Sequence, residues 1–197
     1  MSAVPGSYAI PAGESWGEIR EKGSRFLAWI GPAAGEETAK AALNDVARRY
    51  PDATHHCWAW RLGAPPRERS SDAGEPSGTA GVPILQVLRG AGLSDVLAVV
   101  VRWFGDTKLG KGGLARAYAA AAREALASLP VAQRVSTVRI ALQVPYERVG
   151  AVKRLIHPPE VELISEGYAE AAQLVLAVHE ERRDALREAL ADLGIVV

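Results

Sequence analysis

The spacing of apolar residues changes character several times along the chain, and each change predicts an element. Ser7–Ile10, Trp16–Glu21 and Ser24–Ile30 alternate in the manner of short strands, with a turn at Lys22-Gly23. Ala39, Leu43, Val46, Ala47 and Tyr50 then recur at helical spacing, so Glu36–Tyr50 is a helix that Pro51 stops. Thr54–Leu62 returns to a strand rich in aromatic residues. The segment Gly63–Ala73 is polar, holds two prolines, and is expected to be a mobile loop. Thr79–Arg89 predicts a helix facing a core through Ile84, Leu85 and Leu88, with Pro83 tolerated only near its first turn. Asp95–Phe104 carries an unbroken apolar run, as expected of a strand buried on both faces. After a loop at Gly105–Gly113, Leu114–Leu129 predicts a helix burying Leu114, Tyr118, Ala121, Ala125 and Leu129, and Pro130 closes the unit.

The pattern restarts at Val135. Val138, Ile140, Leu142 and Val144 alternate with polar or small positions, which predicts a half-buried strand. Tyr146–Ile156 is helical through Val149, Val152 and Ile156. Val161–Tyr168 and Ala171–His179 form a hairpin, Glu181–Leu193 a helix, and Ile195–Val197 a last strand. That order, βαββαβ, predicts a ferredoxin-like sandwich. The fold class is therefore α+β with two domains, residues 1–132 and 133–197, joined near Ser128–Arg134.

Composition narrows the function. A hydrophobic share of 48% and a charged share of 23% are ordinary for globular chains. The net charge of zero gives no whole-molecule attraction to nucleic acid or membrane, so a polyanion site has to be a local patch. The single cysteine, Cys57, permits no internal disulfide and fits a reducing, cytoplasmic compartment. The start of the chain lacks the basic end and long apolar core of a signal peptide. The apolar run Val96–Val101 is far too short to span a bilayer.

Three segments carry candidate chemistry. GDTKLGKG, Gly105–Gly112, lies between a strand and a helix and falls one residue short of a phosphate-loop pattern, because Gly112 stands where a hydroxyl would hold magnesium. Its amides at the helix start, with Gly110 and Gly113, still suit an anion, helped by Lys108, Lys111 and Arg116. SDAGEPSGTAG, Ser71–Gly81, makes a shaped turn into a helix. Ser77 or Thr79 is expected to cap that helix, with Asp72 and Glu75 near its positive end. Its functional alternative is a Ser77 nucleophile activated by Lys108 or Lys111. In THHCWAW, Thr54–Trp60, period two puts His55 and Cys57 on one side and Thr54, His56, Trp58 and Trp60 on the other. Two such ligands do not make a zinc site, and His56 is expected to bond to the loop near Asp72.

With these runs in view, the chain resembles the YigZ/IMPACT family. The resemblance rests on SDAGEPSGTAG followed by VPILQVL (Val82–Leu88), on VLAVVVRWFGDTKLGKGGLARAY (Val96–Tyr118), and on KGSRFLAWI (Lys22–Ile30) and ATHHCWAWRLG (Ala53–Gly63). The family usually reads D-D-G-E-P where this chain has Ala73 in second place. It usually has lysine at Val82, a second glycine at Asp106, and often threonine at Lys111. The resemblance implies a first domain like domain IV of elongation factor G, a fold also seen in a ribosomal small-subunit protein, and a ferredoxin-like second domain like domain V of that factor. It also implies a link to translation. Eukaryotic members dampen the eIF2α kinase response to amino-acid starvation by competing for its activator protein, and no catalytic activity is implied.

The leading expectation is a translation-associated protein that binds RNA, the ribosome or a translation-related protein, with no cofactor and no metal. Arg102, Lys108, Lys111 and Arg116 against Asp106 leave a local charge of +3 to meet phosphate. Lys22, Arg25 and Gly105 extend the candidate surface, and Trp103 or Phe104 supply a stacking ring if exposed. Two alternatives stand beside it: an enzyme of the same fold, phosphate-handling or a Ser–Lys hydrolase, and a pure protein-interaction module.

Overall fold

The computed structural model of the chain describes residues 6–196. Residues Tyr8–Arg134 form one compact unit, and the chain passes into a second at Val135. The first unit is built on strands β1 (Ser7–Pro11), β2 (Ser15–Glu21), β3 (Ser24–Pro32), β4 (His55–Leu62), β5 (Arg67–Ser71), β6 (Val96–Trp103) and β7 (Val131–Val135). Its helices are α1 (Glu36–Arg49), α2 (Gly81–Gly90) and α3 (Gly110–Ala127). Five strands make an antiparallel sheet in the order β2-β3-β6-β4-β5, and β1 pairs with β7 as a separate ribbon.

Strand β6 enters the sheet last in sequence yet occupies its centre, which is why Val96–Val101 are all buried and read as one apolar run. Its alternate side chains serve two cores. Ala98 and Val100 join Phe26, Ile30 and Cys57 against α2 and α3. Leu97, Val99 and Val101 join Trp29 and Trp60 against α1. Helix α3 presents Ala121, Ala122 and Ala125, all fully buried, so its backbone lies close to the sheet.

The polar segment expected to be a mobile loop contains β5, an edge strand paired with β4 from Trp58↔Ser71 to Leu62↔Arg67. Its sequence, RERSS, has no apolar alternation. A backbone ladder and ion pairs hold it: Glu68 bridges Arg61 (2.8 Å) and Arg89, and Arg67 reaches Glu36 (2.9 Å). Charge on an edge strand also discourages pairing with other chains. Helix α3 begins at Gly110, inside the expected loop, and β7 forms from an exposed, mixed sequence that carries no strand signal.

The second unit has its own core. Strands β8 (Thr137–Val144), β9 (Val161–Tyr168) and β10 (Ala172–His179) form an antiparallel sheet in the order β8-β10-β9. Leu174, Leu176 and Val178 pack with Leu142 and Val144, under Val152 of α4 (Val149–Lys153) and Leu186 and Leu190 of α5 (Arg183–Asp192). The helix expected over Tyr146–Ile156 is a 3-10 turn at Tyr146–Arg148 running into the short α4. The last strand expected over Ile195–Val197 is not formed at Ile195 or Val196, and Val197 lies outside the described residues. Over the described residues the order is thus βαββα, not βαββαβ. Gly194 takes a positive φ of 69° and Ile195 N–H donates to Leu190 O (2.9 Å), so Ile195 is buried as the apolar stop of α5.

Candidate functional site

Four segments of the first unit surround a concavity of about 410 Å³: the start of β4, the turn at Gly74–Pro76, the end of β6, and the loop leading into α3. The turn is shaped from within. Asp72 accepts hydrogen bonds from the backbone N–H groups of Gly78 (2.8 Å), Ala80 (2.9 Å) and Gly81 (2.8 Å), so its carboxylate caps α2. Neither Ser77 nor Thr79 does so, contrary to the sequence expectation. The Thr79 hydroxyl donates to Pro76 O (2.6 Å), and Ser77 is exposed and does not line the concavity. Desolvation works to raise the Asp72 pKa, but the three N–H donors outweigh it and hold the carboxyl below the usual carboxylate range.

The loop after β6 is anchored by a backbone-to-backbone approach. A Cβ on Gly105 would stand 2.2 Å from the carbonyl carbon of Gly23, so only glycine lets this loop rest on the Lys22-Gly23 turn. Ser24, fully buried beside that turn, accepts from Gly105 N–H (3.1 Å) and from Arg102 Nη2 (3.3 Å).

Arg102 is not a surface cation. It is 3% exposed and Nη1 is paired with Glu75 Oε1, itself an almost wholly buried carboxylate. The Tyr118 hydroxyl donates to the same oxygen (2.7 Å), and His55 Nε2 stands 3.9 Å from it. The guanidinium lies 5.3 Å from the ring centroids of both Phe26 and Phe104. Burial thus corrects the expectation that Arg102 meets phosphate, because its charge is already matched by Glu75. Beneath the pair, the Cys57 thiol donates to Asp72 O (2.9 Å) and lies 3.3 Å from Tyr118 Oη. Burial pushes that thiol up to about 12 and also raises the Tyr118 phenol, so neither ionises near neutral pH.

Of the residues singled out in sequence as candidate ligands or contacts, His55, Glu75, Arg102, Phe104, Lys108, Gly110 and Lys111 line the concavity. Gly112, Gly113 and Arg116 follow in the first turns of α3, whose start has no acidic residue and no side-chain cap. Lys108, Lys111 and Arg116 are exposed, and none has an acidic partner among the described residues. Lys22 is exposed at its turn. Two residues sit elsewhere. Arg25 pairs with Glu18 (2.8 Å) and covers Trp103 (4.5 Å to the centroid) on the α1 side of the sheet. His56 also faces that side and bonds through Nε2 to Tyr50 O (3.0 Å), not to the loop near Asp72. It is His55 that reaches the loop, through Nδ1 to Ala73 O (2.9 Å). Strand parity separates the two histidines, and the fold puts His55 on the side of Cys57, which faces the α2–α3 core. Trp103 is partly buried, with Nε1 donating to Asp52 (2.8 Å), whereas Phe104 is exposed.

Known proteins resemble this chain in sequence and fold. Residues 22–126 match the family model described as the Impact N-terminal domain, and residues 142–194 match a domain of unknown function, DUF1949. A relative from Thermus thermophilus, "IMPACT family member in pol 5'region", is 48% identical over 139 residues, 71% of this chain and 75% of that protein. "IMPACT family member YigZ" of Escherichia coli (strain K12) is 37% identical over 165 residues, 82% of this chain and 81% of its own length. A crystal structure described as that of a hypothetical protein superposes with a TM-score of 0.75 at 32% identity, covering 98% of both chains.

Proposed function

The chain belongs to the IMPACT family, and on that footing we propose that it is a translation-associated binding protein that engages RNA phosphate through the cationic loop leading into α3. The observation that carries this reading is the set of exposed cations Lys108, Lys111 and Arg116, unpaired among the described residues, around a helix start with no acid of its own. Such a start presents free N–H groups and a partial positive charge to an anion. Burial of Arg102 lowers the local charge from the +3 read in sequence, but what remains is aimed at solvent and rests on the anchored Gly105 loop.

Binding is favoured over turnover by the state of the polar groups in the concavity. Glu75 already accepts from Arg102 and Tyr118, Cys57 is a buried thiol with its pKa pushed up to about 12, and Ser77 is exposed outside the concavity. The link to translation comes with the family resemblance.

Co-sedimentation with ribosomes and with structured RNA across a salt series tests the reading. Lys108→Ala/Lys111→Ala is expected to weaken binding without moving the melting temperature. Every phosphate that a removed lysine had neutralised should reduce the magnitude of the log–log salt slope by about one unit. Absence of wild-type binding at low salt, or an unchanged slope in the double variant, refutes it.

A further inference from the structure

Resting on the RNA reading above, we propose that the concavity takes one unstacked nucleotide of single-stranded RNA, with its base on the ring of Phe104 and its phosphate on Lys108 and Lys111. The ring is the first ground. Phe104 is 52% exposed, although it follows directly on the buried strand β6. Its backbone N–H is fixed to Thr54 Oγ1 (3.1 Å), and the Arg102 guanidinium lies 5.3 Å from its centroid. Glu75 and Ser24 in turn hold that guanidinium. The aromatic surface is therefore pre-positioned, backed by a buried cation, and open to solvent. Every base has a face that can stack on such a ring, whatever its identity.

Size and polarity supply the rest. A volume of about 410 Å³ lies toward the small end of ligand pockets, which run from about 300 to 1,000 Å³, and suits one splayed-out nucleotide. The lining also carries the Glu75 carboxylate and His55. Since His55 Nδ1 meets the carbonyl of Ala73, that nitrogen must carry a proton. Arg102 already matches the Glu75 charge, so the unmatched charge of the lining is that of Lys108 and Lys111, which draws the phosphate to them. This fixes the orientation: base toward Phe104 and His55, phosphate toward the start of α3. Double-stranded RNA keeps its bases stacked inside the helix and cannot offer one to the ring.

The test compares labelled single-stranded oligouridylate with a duplex of equal length by fluorescence anisotropy, using the full chain and three variants. Phe104→Leu keeps apolar volume without a stacking face and should weaken single-strand binding at least about fivefold, the low end of one base–aromatic stack, with the salt slope unchanged. Phe104→Trp should bind at least as tightly as wild type. Lys108→Ala/Lys111→Ala should weaken binding and reduce the slope by about 0.7 for each phosphate left without its lysine. Wild-type affinity in Phe104→Leu, beside a weakened lysine variant, overturns the stacking site and leaves the cationic reading intact. Equal affinity for duplex and single strand overturns it as well. No binding by wild type at low salt, or indifference to the lysine changes, overturns the RNA reading itself.

Discussion

Replacing Glu75 with alanine strips the buried Arg102 guanidinium of its counter-ion and leaves the Tyr118 hydroxyl without its acceptor. Arg102 is only 3% exposed, so water cannot take over either interaction without opening the joint between β6 and the Gly74–Pro76 turn. Breaking one side of a buried ion pair costs about 3–5 kcal/mol, much of it from the charge left behind. For a chain of this size that corresponds to a fall in melting temperature of about 10 °C. Glu75→Gln keeps an acceptor oxygen but not the charge and should fall between wild type and alanine. Glu75→Leu/Arg102→Met removes both charges together and should recover most of the loss, since an apolar pair of similar volume avoids the desolvation of two ions. Equilibrium urea unfolding measures all four proteins, and a common m value establishes that stability alone has changed. A loss below about 1 kcal/mol in Glu75→Ala, or a double variant no more stable than the single one, refutes the assignment. Arg102 would then be solvated and free to meet phosphate after all.

Asp72→Ala should lower stability by about 1–2 kcal/mol, because three N–H donors at the start of α2 lose their shared acceptor. The folded-state pKa of Asp72 is depressed, so its contribution is full above the unfolded value of about 3.9 and is lost as pH falls through the folded value. Thermal melts of wild type and Asp72→Asn should therefore differ at pH 7 and converge in strong acid, and a constant gap would count against the capping role. Gly105→Ala places a Cβ 2.2 Å from the Gly23 carbonyl carbon and should cost about 1–3 kcal/mol while loosening the loop that carries Lys108. Wild-type stability in that variant would mean the two backbones do not meet in solution.

Some of this protein is dictated by short-range pattern. The unbroken apolar run of β6 announces a central strand, because only a strand covered on both sides can bury every position. The alternation of Val138, Ile140, Leu142 and Val144 announces β8 in the same way, since one face of that strand packs on a core. The motifs around Asp72 and Gly105 mark the candidate site, because carboxylates, lysines and glycines cluster there in a neutral chain. What the residues do within the site was decided elsewhere. Arg102 looks like a surface cation until β6 is seen at the sheet centre, where Glu75, 27 residues away, becomes its partner. Asp72 looks like one acid among several until the chain turns back and brings three backbone donors to it. His55 and His56 are neighbours whose parity alone leaves open which side holds the loop. The edge strand β5 carries no apolar signal, and its order comes from ladder partners on β4 and from Arg61, Arg89 and Glu36. Periodicity records which face of an element is dry. The partner that a buried charge or an unpaired backbone finds depends on chain segments far away in sequence, and only the folded chain brings them together.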